Sequence, residues 1–233
     1  MSTSSSASAA GMQDFLSCFS VSEILHPLDD DGASTERISE RKVPASLDII
    51  EPDPEWPTYF DIFKSRITSA WESQQAAEDG KQVKILSISH VGSTAVPGLP
   101  AKAIIDIDLV LSEIARPFEP FYVPRLEAAG FQYLLREPSW YEHRLFIASE
   151  PISCNLHVFG PRCAMVARHW IFRDWLKDNS SDRELYAQTK RECAQAAKEK
   201  GVGMQEYSRS KDAVVMEILT RAVKGAGLAS GEE

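Results

Sequence analysis

The residues of this sequence best suited to chemistry lie between His90 and Leu111, in HVGSTAVPGLPAKAIIDIDLVL. A glycine and a serine, Gly92 and Ser93, open a proline-punctuated loop. Lys102 closes it, and Asp106 and Asp108 follow in the alternating run Ile105–Asp106–Ile107–Asp108–Leu109. In a strand, alternate side chains share a face, so the two carboxylates project together while the isoleucines and Leu109 enter a core. Paired carboxylates of this kind suit Mg²⁺ or Mn²⁺, hard cations that prefer oxygen. Backbone N–H groups and a hydroxyl at a Gly–Ser bend suit phosphate. The loop is not a Walker P-loop. That motif needs a lysine and a hydroxyl directly after its second glycine, whereas Leu99 follows Gly98 and Ala103 follows Lys102 here. On its own, IDIDLVL is also what a half-exposed strand looks like, and Gly–Ser is common in turns.

The elements that must hold these residues are legible around them. Phe60 or Tyr59, Phe63, Ile67 and Trp71 recur at helical spacing in a first helix over WPTYFDIFKSRITSAWESQQAAED, ended by Gly80. VKILSIS and AIIDIDLVL read as strands on either side of the loop, and FYVPRLEAAG reads as a helix closed by Gly130. FQYLLRE, HRLFIAS and SCNLHVF read as three further strands. The last third reads as helices over ARHWIFRDWLKD, RELYAQTKRECAQAAKEK and EYSRSKDAVVMEILTRAV. The expected class is α+β: a mixed sheet flanked by helices with a helical C-terminal part. The expected organisation is a largely disordered extension over residues 1–42, one domain over 43–225 and a disordered tail over 226–233. Phe15 to Leu25 is a candidate helical or docking segment within the extension.

Composition narrows the function classes. The 233 residues are 43% apolar, enough for one generous core, and the formal net charge is −9. That balance argues against broad adhesion to nucleic acid or anionic membrane, although a local basic pocket for a small anion is compatible with it. Cys18, Cys154, Cys163 and Cys193 form no C-x-x-C pair and read as reduced thiols. No stretch is apolar enough to span a bilayer, and MSTSSSASAAGMQDF lacks a basic leader, so a cytoplasmic location is expected.

Val91–Gly92–Ser93 followed by Asp106–Ile107–Asp108–Leu109 resembles the signature of the DNA polymerase beta-like nucleotidyltransferase fold. HVGSTAVPGLPAKAIIDI resembles, more narrowly, the hallmark of the GrpB (UPF0157) family. DPEWPTYF, NLHVF, IFRDWL and the pairs Tyr186/Lys190 and Tyr207/Lys211 extend the likeness over about residues 44 to 222. The resemblance implies a nucleotidyltransferase-like core in a family whose reaction is largely undefined. Some members are fused to dephospho-CoA kinase, whose P-loop this chain lacks. Two departures stand out. Ala103 replaces the proline after Lys102, and Asn155 replaces the first histidine of a His-Leu-His strand. That leaves His157 alone, with no third carboxylate between Pro151 and Phe159.

Two functions are therefore expected in parallel. In the first, an NTP is the substrate and a nucleoside monophosphate is transferred with the aid of divalent metal. Asp106, Asp108 and His157 would be metal-binding and catalytic, and Gly92, Ser93 and Thr94 would hold phosphates. His90, Lys102, Arg144, Arg173, Lys190 and Lys211 would add further nucleotide contacts. Any single lysine or arginine is more often solvated, and Arg173 with Asp174 also reads as a structural ion pair. In the second, the pocket binds a nucleotide or CoA-like phosphometabolite without turnover. The expected partner in both cases is a small phosphorylated ligand; nucleic acid and membrane are not. His143 and His169 carry weaker signals. Tyr-x-x-x-Lys also occurs in short-chain dehydrogenases, but no G-x-G-x-x-G loop accompanies it.

Overall fold

The computed structural model describes residues 14–26, 34–42, 46–72 and 82–228. In chain order its elements are α1 (Val21–Leu25), β1 (Glu36–Arg37), α2 (Trp56–Glu72), β2 (Ile85–Val91), β3 (Ile104–Leu111) and α3 (Glu119–Ala128). They continue with β4 (Gln132–Glu137), β5 (His143–Ala148), β6 (Ser153–Phe159), α4 (Ala164–Asp178), α5 (Ser180–Lys200), α6 (Met204–Arg209) and α7 (Asp212–Gly225). This is the expected α+β class. The six strands form one sheet in the order β1-β4-β5-β6-β3-β2, in which β3 and β6 run parallel and the other neighbours antiparallel. Among the described residues, no helix is long and apolar enough to cross a membrane.

Strand alternation divides the molecule into two layers. Ile105, Ile107 and Leu109 of β3 and Cys154, Leu156 and Val158 of β6 face one way. There they pack on Trp56, Phe63 and Ile67 of α2 and on Tyr122 and Leu126 of α3. Asp53 accepts the Glu55 amide at 2.9 Å just before α2, and Pro57 lies in the first turn, where its missing N–H costs nothing. The opposite face carries Asp106 and Asp108 beside Asn155 and His157, in the parallel register Asp106↔Asn155 and Asp108↔His157. Helix α4 covers the end of that face, where Val110, Phe159, Cys163 and Val166 form a smaller core.

Within the N-terminal extension, residues 1–13 and 27–33 lie outside the described residues, and the candidate helical or docking segment Phe15 to Leu25 is packed on the domain. α1 opens with a reciprocal cap in which the Ser20 amide donates to Glu23 at 2.7 Å and the Glu23 amide donates to Ser20 Oγ at 3.2 Å. Ile24 is then fully buried against Ala167 and Ile171 of α4 and Leu219, Ala222 and Val223 of α7. In the C-terminal tail, Leu228 packs on the same cluster, and residues 229–233 lie outside the described set. The single helix expected over EYSRSKDAVVMEILTRAV is two. The Ser210 hydroxyl donates to the Tyr207 carbonyl at 2.8 Å, a local bond that competes with helix continuation, and Lys211 precedes a new first turn. The part of the first expected helix beyond Glu72 lies outside the described residues.

Candidate functional site

A cavity of about 1320 Å³ lies between the acidic face of the sheet and the C-terminal helices. The β2–β3 connection, β6, α4, α5 and the α6–α7 junction all contribute walls, and Leu25 and His26 reach it from the N-terminal segment. Gly92 ends β2 with φ 69° and ψ −168°, a combination open essentially to glycine alone, and a short 3₁₀ turn follows over Ser93–Ala95. The glycine is also required by contact, because a Cβ there would lie 2.6 Å from Oδ2 of Asp106. The acid at the start of β3 and the bend at the end of β2 are therefore packed against each other.

Among the described residues, six cationic side chains line the cavity: Lys102, Arg168, Arg173, Lys190, Arg209 and Lys211. Asp106 and Asp212 are the carboxylates among the lining residues. Lys102 and Lys211 hold their ammonium groups 4.8 Å and 4.6 Å from the Tyr207 ring, and Lys190 lies 4.8 Å from the Tyr186 ring. Lys190 also donates to the Pro100 carbonyl, tying α5 to the loop. Burial, with repulsion from Lys211, Arg191 and Lys102, brings the Lys190 pKa down to about 7. Burial brings Lys102 down to about 8, although Asp106 pulls the other way. Arg173 pairs with Asp174 at 2.7 Å and donates to the His90 carbonyl at 2.9 Å, so it braces the end of β2 as well as lining the cavity.

The acidic pair is less open than the sequence suggests. Asp108 is fully buried, and both its oxygens lie near Nδ1 of His169, at 2.9 and 3.2 Å. Burial opposes the charged form of His169, but the charge and hydrogen bond of Asp108 outweigh it and raise that pKa. His157 lines the cavity with its Nδ1 3.0 Å from Nε2 of His143, and His143 leans on Glu137. Burial, and then the neighbouring His143, pushes His157 down to about 4. Asp106 accepts from Asn155 Nδ2 at 2.8 Å, and Asn155 in turn accepts from Arg41 at 3.0 Å. These donors do not fit a divalent metal site as they stand. Among the described residues, no three His, Cys, Asp or Glu side chains converge as ligands, and Asp108 is enclosed and engaged. The residue of β6 in register with Asp106 is an amide, Asn155, and no Asp or Glu lies on that strand.

Of the residues singled out by sequence, the structure brings Gly92, Ser93, Thr94 and Lys102 to the cavity. It brings Asp106, His157, Arg173, Lys190 and Lys211 there too, with Asp108 just behind. Thr94 is 5% exposed, and its hydroxyl is used internally, donating to the Ile104 carbonyl at 3.2 Å. Two placements need correction. His90 pairs in register with Ile107, which puts its ring on the α2 face, stacked on Phe60 at 4.9 Å and bonded to Thr94 at 3.0 Å. Burial there lowers its pKa to about 4. Arg144 shares the face of Val158, the core face, and is committed to Glu119 at 3.1 Å. Sequence reasoning undervalued His169, although it stands one helical turn before Arg173. It missed Arg41 and Arg168, which carry no local pattern.

Comparison with known proteins agrees with this architecture. The GrpB protein family matches residues 46–221. A UPF0157 protein of Halalkalibacterium halodurans is 40% identical over 206 residues, covering 84% of this chain and 97% of that protein. A dephospho-CoA kinase of Mycolicibacterium paratuberculosis is 27% identical over 183 residues, 66% of this chain but 41% of that protein. The crystal structure of the conserved protein GrpB from Enterococcus faecalis superposes with a TM-score of 0.59 at 23% identity, over 76% of this chain and 98% of that one. At that identity the likeness establishes the fold.

Proposed function

The chain belongs to the GrpB family, and on that premise we propose that its cavity binds a nucleotide or a CoA-like phosphorylated small molecule. One observation carries this reading: six cationic side chains line the same cavity as the Gly92–Thr94 bend, in a protein whose net charge is −9. A local field opposite in sign to the whole molecule favours a compact anion over an extended polyanion. The amides of the bend and the Ser93 hydroxyl offer donors to phosphate oxygens. Tyr186 and Tyr207 are buried beneath these ammonium groups and hold Lys190, Lys102 and Lys211 by cation–π contact at the cavity wall. The relative named dephospho-CoA kinase adds weight to a CoA-like ligand, without transferring a kinase reaction to a chain that has no P-loop.

Isothermal titration of the full chain with ATP, CoA and dephospho-CoA tests the reading. Saturable binding is expected, weakened about tenfold or more in Lys211→Met, as for loss of a charge-assisted contact, and weakened further by salt. Binding to none of the three, or binding indifferent to Lys211, would remove it.

A second reading is transfer of a nucleoside monophosphate from an NTP in the presence of Mg²⁺ or Mn²⁺. What favours it is the shared strand face of Asp106 and Asp108 beside the glycine bend. Pyrophosphate release from any of the four NTPs, lost in Asp106→Asn, would support it. No release with either metal would discard it.

A further inference from the structure

Each carboxylate of the acidic pair already has a partner inside the protein. Asn155 donates to Asp106 Oδ1 at 2.8 Å, and Arg41 donates to Asn155 Oδ1 at 3.0 Å. A guanidinium has donors only, so it fixes which way the amide points: oxygen toward Arg41, NH₂ toward Asp106. Arg41 lies close enough to Asp106 for its charge to be felt there. Asp108 is closed from solvent and held by His169 Nδ1. A dication would therefore have to displace protein hydrogen bonds from both carboxylates. It would also have to approach past the cationic side chains of the cavity, and Mg²⁺, which is commonly held by one or two carboxylates together with water and substrate phosphate, would find both of these carboxylates already engaged.

We propose that this cavity neutralises the phosphates of its ligand with protein cations and no divalent metal. Arg41, acting through Asn155, is the positioning residue that holds Asp106 in place without a metal. The proposal rests on the phosphorylated-ligand reading above. Arg41 precedes the stretch matched by the family, residues 46–221, so this brace comes from the chain's N-terminal segment. It also gives the amide at position 155 a purpose. A carboxylate there would draw a cation into the site, whereas an amide can link a guanidinium to Asp106 in one fixed direction.

The test uses the full chain and two probes, Mn²⁺ alone and ATP. Electron paramagnetic resonance should show Mn²⁺ remaining free in the presence of the wild-type protein. ATP should bind no more weakly in EDTA than in excess Mn²⁺. The double variant Arg41→Ala/Asn155→Asp introduces a third carboxylate and removes the guanidinium, and it should tighten Mn²⁺ binding by about tenfold or more. Arg41→Gln/Asn155→Asp serves the same purpose should the first pair fail to fold. Asn155→Asp alone, with Arg41 kept, should tighten Mn²⁺ binding less than the double variants, and equal gains would reduce Arg41 to a structural contact. Stoichiometric Mn²⁺ binding by the wild type, or ATP binding that requires Mn²⁺, overturns the proposal. Double variants that bind no more Mn²⁺ than the wild type remove Arg41 and Asn155 from the role. Failure of ATP to bind in either buffer counts against the ligand reading alone, because the Mn²⁺ titrations are independent of it.

Discussion

Asp106 and Gly92 are packed so tightly that a single added carbon on the glycine would fall 2.6 Å from the carboxylate oxygen. Gly92→Ala therefore meets two penalties, the contact and a backbone conformation with φ 69°. The backbone strain alone is worth about 1–3 kcal/mol. Denaturant titration should show that loss, and ATP affinity should fall with it because Asp106 and the bend must separate. Gly98→Ala is the comparison: φ is 76°, but nothing lies within 4 Å of an added Cβ. It should lose stability and keep affinity.

The buried lysines make binding depend on pH in a definite direction. Lys190 and Lys102, at about 7 and about 8, are partly neutral in the free protein above those values. A bound phosphate favours their charged forms, so binding takes up protons, and affinity should fall as pH rises from 7 to 9. The limit is about tenfold per pH unit for each lysine. Stability moves the other way. Both folded-state values lie below the ordinary 10.5, so the unfolded chain binds more protons between them, and stability should rise with pH across that window. Titrations in buffers of different ionisation enthalpy would count the protons. Affinity that rises toward pH 9 would refute the assignment.

Arg144 separates stability from binding. It is 2% exposed and tied to Glu119 on the core face. Arg144→Ala leaves that carboxylate without one of its partners and should cost about 3–5 kcal/mol, the usual penalty for half of a buried pair. The protein that remains folded should bind ATP with unchanged affinity. A selective loss of affinity would return Arg144 to the cavity side.

Ile24 anchors the N-terminal segment. Ile24→Ala removes a fully buried side chain, for which about 2–5 kcal/mol is the usual cost, and the loss should fall on local docking. Limited proteolysis should then cut within residues 14–26 far faster than in the wild type, while the sheet stays protected from hydrogen exchange. Equal cleavage of both proteins would show that the segment does not depend on this contact.

Much of this was legible because a strand has a period of two. Once IDIDLVL is read as a strand, Asp106 and Asp108 must share a face, and the same logic places Asn155 with His157. The logic is silent on which face of the neighbouring strand joins them. His90 was misplaced for that reason: only the register Val91↔Asp106 reveals that His90 points to the other side. Arg144 failed in the same way, since a lone cation in HRLFIAS carries no mark of its face. The break between Tyr207 and Lys211 was hidden because the apolar spacing continues through it and a serine hydroxyl decides the stop. Arg41 and the Asp108–His169 bond are tertiary, joining positions that no periodicity relates.

The pairing of β3 with β6 carries one more implication. Asn155 sits beside Asp106, and His157 beside Asp108, only because these two strands run alongside each other in that single alignment. Sliding β6 by one position would turn the amide and the imidazole into the greasy interior and aim Cys154, Leu156 and Val158 at the cavity. One residue inserted into or removed from the connection ahead of Ser153 would thus dismantle the site without touching any group in it.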